Sequence, residues 1–258
     1  MATFKVFITG ASSGIGQSLA REYARQGATL GLVARRQELL LSLKNSLEVE
    51  STIYVADVRD EEALNKAAQH FILQHGVPDI VISNAGVSSG TLTENKTDTA
   101  IFKAVIDINL IGMVNTFQPF LSVMRKEKKG SLVGIASIAG IRGLPGAGAY
   151  SASKAAVIAY LESLRIELNP DGLTVTTIAP GYIKTPMTDL NGFSMPFLMA
   201  PEVAAKKFSK AIKKKKKFII FPWQMRWAVI IMRVTPVWLW DLVMKNAPRK
   251  TRAQWDWL

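Results

Sequence analysis

Short apolar, β-branched runs alternate with longer stretches of helical periodicity along most of the chain. The runs predict strands over residues 4–9, 29–34, 52–56, 79–83, 131–137, 174–179 and 218–221. Between them, apolar positions recurring three and four residues apart predict helices, among them 15–26, 61–75, 99–126 and 150–168. A strand-then-helix unit repeated this often is satisfied by a parallel sheet with helices on both faces. Right-handed crossovers make that sheet doubly wound and place ligands at the carboxyl ends of its strands.

Composition narrows this to a single large domain with a C-terminal extension. With 258 residues, 48% hydrophobic and 20% charged, the chain can bury a full core and fits one large α/β domain, taken as 1–222. It contains no cysteine, which excludes disulfides, thiolate nucleophiles and cysteine-bound metal, and no metal site is expected. The first strand begins almost at the N-terminus, without the charged-then-apolar layout of a signal peptide, so the expected residence is cytoplasmic.

Charge changes the picture in one region. The net charge is +12, but residues 201–258 hold 14 Lys and Arg against 3 acids, together with all six tryptophans. The first 200 residues are nearly neutral. Residues 223–258 therefore read as a basic, Trp-rich helical extension. In it Trp227, Ile230, Ile231 and Val234 recur at helical intervals after Trp223. Thr235 and Pro236 are predicted to be the N-cap and first residue of a second helix carrying Trp238, Leu239, Leu242 and Val243. Pro236 and the arginines argue against a membrane-spanning helix. Three occupants remain for its apolar face: the inner surface of a membrane, a partner subunit, or the protein's own body. No nucleic-acid reading module accompanies the basic charge, so no nucleic-acid partner is expected.

Candidate chemistry begins just after the first strand, where Gly10, Gly14 and Gly16 open a helix in the spacing G-x-x-x-G-x-G. Glycines there let backbone N–H groups approach a pyrophosphate at a helix N-terminus. The second strand ends in Arg35 and Arg36 where an acid would hold an unphosphorylated ribose. Two permanent cations favour a 2′-phosphate, hence NADP(H) over NAD(H). Tyr150 and Lys154 lie four apart in a helical run and share a face. A nearby ammonium favours a phenolate, which predicts a lowered Tyr150 pKa and a proton-transfer role.

These pieces, with Asp57, Asn84-Ala85-Gly86, Asn109, Ser137 and Pro180-Gly181 in the same order, resemble the short-chain dehydrogenase/reductase family over residues 4–221. The resemblance implies a Rossmann-like sheet and an NADPH-dependent reductase that reduces a carbonyl or oxidises the alcohol. It implies catalytic roles for Asn109, Ser137, Tyr150 and Lys154. Ser137 would polarise the substrate carbonyl, Lys154 would hydrogen-bond the nicotinamide ribose, and Asn109 would hold a water on the proton path to Lys154. Cofactor contacts would come from Gly10, Ser12, Ser13, Gly14, Ile15, Gly16, Arg35, Arg36, Asp57 at the adenine, Asn84, Ala85, Gly86, Tyr150, Lys154, Pro180, Gly181, Ile183 and Thr185. Arg35 would be the better phosphate contact and Arg36 the second. Residues 182–199 would form a mobile lid whose Met187, Phe193, Met195, Phe197, Leu198 and Met199 make an apolar wall for a lipophilic substrate. A homodimer or homotetramer is common in such a family. The alternative activity is none at all, with the fold serving as a nucleotide sensor or a membrane-associated scaffold.

Overall fold

The computed structural model describes residues 4–250 and Arg252. Trp255 and Trp257, which belong to the aromatic tail, lie outside the described residues. Seven parallel strands form one sheet: β1 (Lys5–Thr9), β2 (Thr29–Ala34), β3 (Ser51–Val55), β4 (Ile80–Ser83), β5 (Ser131–Ile135), β6 (Thr174–Pro180) and β7 (Phe218–Phe221). Their spatial order is β3-β2-β1-β4-β5-β6-β7. After β3 the chain crosses back over the sheet to place β4 beside β1, so the winding direction reverses there. The carboxyl ends diverge at that point and open a crevice.

Alternate side chains of each strand enter opposite layers, which is why these strands are apolar on both faces. Phe7 joins Phe71, Phe117, Phe120 and Leu161 on one side of the sheet. Its neighbours Val6 and Ile8 join Leu19, Leu30, Leu32 and Phe208 on the other. The first layer takes α3 (Glu61–His75), α4 (Asp98–Ile106), α5 (Gly112–Glu127) and α6 (Gly148–Leu168). The second takes α1 (Gly14–Arg25), α2 (Gln37–Asn45) and α8 (Pro201–Lys213). The chain is thus a Rossmann-like α/β fold.

Two elements of the domain depart from the sequence reading. The helix expected over 99–126 contains a π-helical turn at Asp107–Ile111 between α4 and α5. A wide turn of this kind marks a local widening of the helix, and it carries Asn109. The run from 98 to 127 is apolar and long enough to cross a membrane, but Phe117, Phe120 and Met124 are fully buried in the core, which accounts for its character. The fifth strand ends at Ile135, two residues early, leaving Ser137 in the loop that follows.

In the tail, α9 (Gln224–Val234) and α10 (Val237–Met244) form as two helices, but Thr235 does not cap the second. Its hydroxyl donates back to the Ile231 carbonyl at 2.7 Å and so terminates α9, while Pro236 sits one position outside α10. A short helix α7 (Pro186–Asp189) lies between β6 and α8, with Thr185 as its N-cap.

Candidate active site

The crevice between β1 and β4 is floored by the turn after β1. Gly10 has φ +69° and Gly14 φ +56°, left-handed values that favour glycine. A Cβ on Gly10 would lie 2.7 Å from Ala85 Cα, and one on Gly16 would lie 2.2 Å from the Gly10 carbonyl oxygen. Only hydrogen fits at either place. Across the reversal point Asn84 Nδ2 donates to the Thr9 and Gly10 carbonyls at 3.1 Å each, and its backbone N–H donates to Thr9 Oγ1 at 3.3 Å. It therefore ties β4 to β1 beneath the loop. Helix α1 starts here with no side-chain cap and no acid in its first turn. Its end is suited to an anion, since the first N–H groups of a helix lack partners and the dipole is positive.

At the far end of the crevice two arginines take different work. Arg36 Nη2 donates to Ser12 Oγ at 3.1 Å and Ser13 Oγ at 3.0 Å, bracing the glycine loop. Arg35 Nη1 lies 3.7 Å from Asp57 Oδ2. Asp57 also accepts from the Arg59 guanidinium at 3.1 and 2.9 Å and from the Arg59 backbone at 2.9 Å. Burial alone would raise the Asp57 pKa. The Arg59 hydrogen bonds, with the charges of Arg59 and Arg35, outweigh it and hold the carboxyl below its usual value. The sequence reading missed Arg59, although its place two residues after an acid at a strand end was the available signal.

The catalytic candidates meet at the opposite end. Ser137 accepts from the Ala139 N–H at 3.1 Å, and its hydroxyl hydrogen-bonds the Tyr150 phenol. Lys154 is 4% exposed and its Nζ donates to the Ile135 carbonyl at 2.8 Å, 5.9 Å from the centre of the Tyr150 ring. Burial pulls the ammonium from its ordinary 10.5 down to about 8. Burial likewise pushes the Tyr150 phenol above its ordinary value, against the opposing hydrogen bond of Ser137. This reverses the lowering that the Tyr150 and Lys154 spacing predicts. The ammonium is engaged by Ile135, and desolvation of the phenol dominates.

One cleft gathers every anticipated site residue except Gly16, which packs beneath it, and Asn109. Asn109 is fully buried behind the wall. Its Oδ1 accepts from Val87 N–H at 2.8 Å, and its Nδ2 donates to the Val87 carbonyl and to Ser153 Oγ at 2.9 Å each. With its side-chain amide engaged in this way, Asn109 locks the loop after β4 onto α6 in the present structure. The cleft also takes in Val58, Val87, Ile108 and Thr188, which no motif marked.

The expected apolar lid is only partly realised. Met187 lines the cleft, whereas Phe197 and Leu198 are exposed and Met199 is buried in the core beneath α8. The reason is a stitch at the base of the segment. Met199 N–H donates to the Tyr182 carbonyl and its own carbonyl accepts from Lys184, which turns Met199 inward beside Ile183. Thr185 caps α7 and also touches the glycine loop, with Cγ2 3.0 Å from where a Gly14 Cβ would stand.

The residues present fit a dinucleotide. The cradle that a Cβ would fill and the unpartnered start of α1 suit a pyrophosphate. Arg35 and Arg36 could hold its adenosine end, with Ser137, Tyr150 and Lys154 lining the opposite end of the cleft.

Known proteins resemble this chain in sequence and fold. The family model described as short chain dehydrogenase matches residues 5–192. An uncharacterized oxidoreductase of Myxococcus xanthus is 36% identical over 242 residues, covering 93% of this chain and 95% of the relative. The 11-beta-hydroxysteroid dehydrogenase-like 2 protein of Arabidopsis thaliana is 35% identical over 241 residues, 90% of this chain and 77% of the relative. Among solved structures, an alcohol dehydrogenase of Thermococcus sibiricus complexed with 5-hydroxy-NADP superimposes with a TM-score of 0.74 at 26% identity, covering 85% of this chain and 96% of that one. With the glycine cradle, the Ser137, Tyr150 and Lys154 cluster and these likenesses together, this chain is an oxidoreductase of the short-chain dehydrogenase family, whose members use NAD(P)(H).

Proposed function

We propose that the protein is an NADPH-dependent reductase of a lipophilic carbonyl compound. The single observation that carries this reading is the cluster of Ser137, Tyr150 and Lys154 at one end of a cleft whose other end presents Arg35 and Arg36. Arg35 would bind a ribose 2′-phosphate, drawn from Asp57, while Arg36 keeps the loop in shape through Ser12 and Ser13. The Thermococcus relative's complex with an NADP analogue is in keeping with this choice.

When bound, the cofactor supplies the hydride that a carbonyl carbon accepts. The chain's own residues handle the oxygen. Ser137 donates a hydrogen bond to it, and Tyr150 gives it the proton that completes the alcohol. The Tyr150 phenol, held above its ordinary value by burial, is protonated at neutral pH and so has the proton that the reduction consumes. Lys154, still largely charged near pH 7, sets the field in which the phenol is reprotonated.

The exposed faces of α9 and α10 favour a membrane-surface location for this activity. Trp223, Trp227, Ile231, Val234, Val237, Trp238 and Leu242 are each between 61% and 73% exposed. Arg233 lies over Phe218 at 6.0 Å, next in sequence to the lysine run 213–217, so cations border the apolar face. An anionic bilayer complements both properties.

The test is NADPH oxidation by the purified protein against ketones graded by chain length. Longer, lipophilic ketones are expected to be reduced faster. Tyr150→Phe should lose turnover by about 10²–10⁴-fold while still binding NADPH in a fluorescence titration. A variant that keeps most of its activity overturns the reading.

A further inference from the structure

The C-terminal segment is fastened at three points, to the loop after Ser137, to the turn before α6 and to the start of α4. Arg142, in the loop after Ser137, donates to the Met232 carbonyl at 2.8 Å and to the Thr235 carbonyl, and lies over the Trp240 ring at 4.8 Å. Gly146 (φ +69°) meets the chain beyond α10 so closely that a Cβ would lie 2.8 Å from Arg249 Cβ and 3.2 Å from Lys250 N. Arg252 pairs with the buried Asp98, whose other oxygen accepts from the Leu92 N–H at 2.8 Å.

These fastenings deliver Lys250 to the catalytic tyrosine. Its Nζ lies 5.2 Å from the centre of the Tyr150 ring, which Lys154 approaches at 5.9 Å. Lys154 has the Ile135 carbonyl as partner. Lys250 has no ion-pair partner among the described residues. Burial pulls its ammonium down to about 8. A mostly buried cation that lacks an acid costs free energy unless a ligand supplies the opposite charge.

We propose that Lys250 is a specificity-determining residue that binds an anionic oxygen group on the carbonyl substrate. The preferred substrates would be oxo acids with an apolar body and a carboxylate close to the reacting carbonyl. This rests on the reductase reading and adds the substrate's charge to it. The tail is then part of the active site, and Arg142, Gly146 and Arg252 act by positioning Lys250.

The test compares a medium-chain oxo acid with its methyl ester as substrates for the full-length protein, Lys250→Gln and Lys250→Arg. In parallel, calorimetry follows binding of the matching alkanoate, which lacks the reacting carbonyl. Wild type should prefer the acid, and Lys250→Gln should lower the acid-over-ester ratio of kcat/KM by about 10- to 100-fold. Lys250→Arg should restore most of that ratio. Alkanoate binding should weaken in Lys250→Gln by a similar factor. Equal losses for acid and ester, or alkanoate binding that ignores Lys250, overturn the proposal and leave Lys250 as packing against Tyr150. Lys250-dependent alkanoate binding with neither ketone reduced would keep this proposal and remove the reductase reading.

Discussion

The sheet domain and the C-terminal helices obey opposite rules of burial. In the domain every residue of β2 and β4 is buried, and the helices turn their apolar stripes onto the sheet. In the tail α9 buries only Met225 and Val229, and α10 buries no residue. The domain is held by apolar area removed from water, worth roughly 25 cal/mol per Å². The tail is held by a few polar fastenings at Arg142 and Arg252 and by close approach at Gly146, and it leaves its apolar surface outward. A segment that exposes tryptophans while holding a lysine beside Tyr150 draws little of its stability from apolar burial.

The largest effect that would sharpen this contrast is at Lys154, where the domain buries a charge. Lys154→Met should lower turnover by about 10²–10⁴-fold, the size lost with a positioned proton-transfer group. Its stability signature runs with pH. The folded pKa is depressed from 10.5 to about 8, so below pH 8 the wild type carries the full cost of a buried ammonium. That cost recedes as pH rises from 8 towards 10.5. Across this window wild type should gain roughly 3 kcal/mol relative to Lys154→Met in denaturant titrations. A constant difference between the two would show that burial is not what shifts the lysine.

A smaller effect is expected at the adenosine end. Arg35→Ala should reduce the preference for NADPH over NADH by about 10- to 100-fold in binding titrations, the worth of a charge-assisted contact. Equal losses for the two cofactors would show instead that Arg35 acts by holding Asp57 in place.

The smallest effect belongs to the tail's outer face. The protein should float with anionic vesicles at moderate salt, and replacing Trp227 and Trp238 with Asn should weaken vesicle partition by about tenfold. If wild type does not float, and the same replacements split a dimer in sedimentation, the apolar face is covered by a second copy.

Much of the domain was legible in advance because its signals are local. Strand runs, the spacing of Gly10, Gly14 and Gly16, and the i, i+4 relation of Tyr150 and Lys154 depend on neighbours a few residues away. The less legible features involve contacts over long separations. The inward turn of Met199 depends on Tyr182 and Lys184, and the upward shift of Tyr150 depends on burial by many elements. The engagement of Asn109 with Val87 and Ser153 joins segments 22 and 44 residues apart. The π turn that carries Asn109 has no marker in the spacing of its side chains. Thr235 was misassigned because a Ser or Thr before Pro also suits a helix end, where its hydroxyl bonds back to the preceding turn.

The sequence by itself determined the alternation of strand and helix, the glycine cradle, the basic residues after the second strand and the pairing of Tyr150 with Lys154. Each follows from backbone geometry, charge or periodicity over a short span. Only the tertiary structure decided that Arg36 braces Ser12 and Ser13, that Asp57 faces Arg35 and Arg59, and that Lys250, 100 positions after Tyr150, stands beside its ring. Burial and charge pairing between distant segments are set by how the elements pack, and no spacing along the chain encodes them.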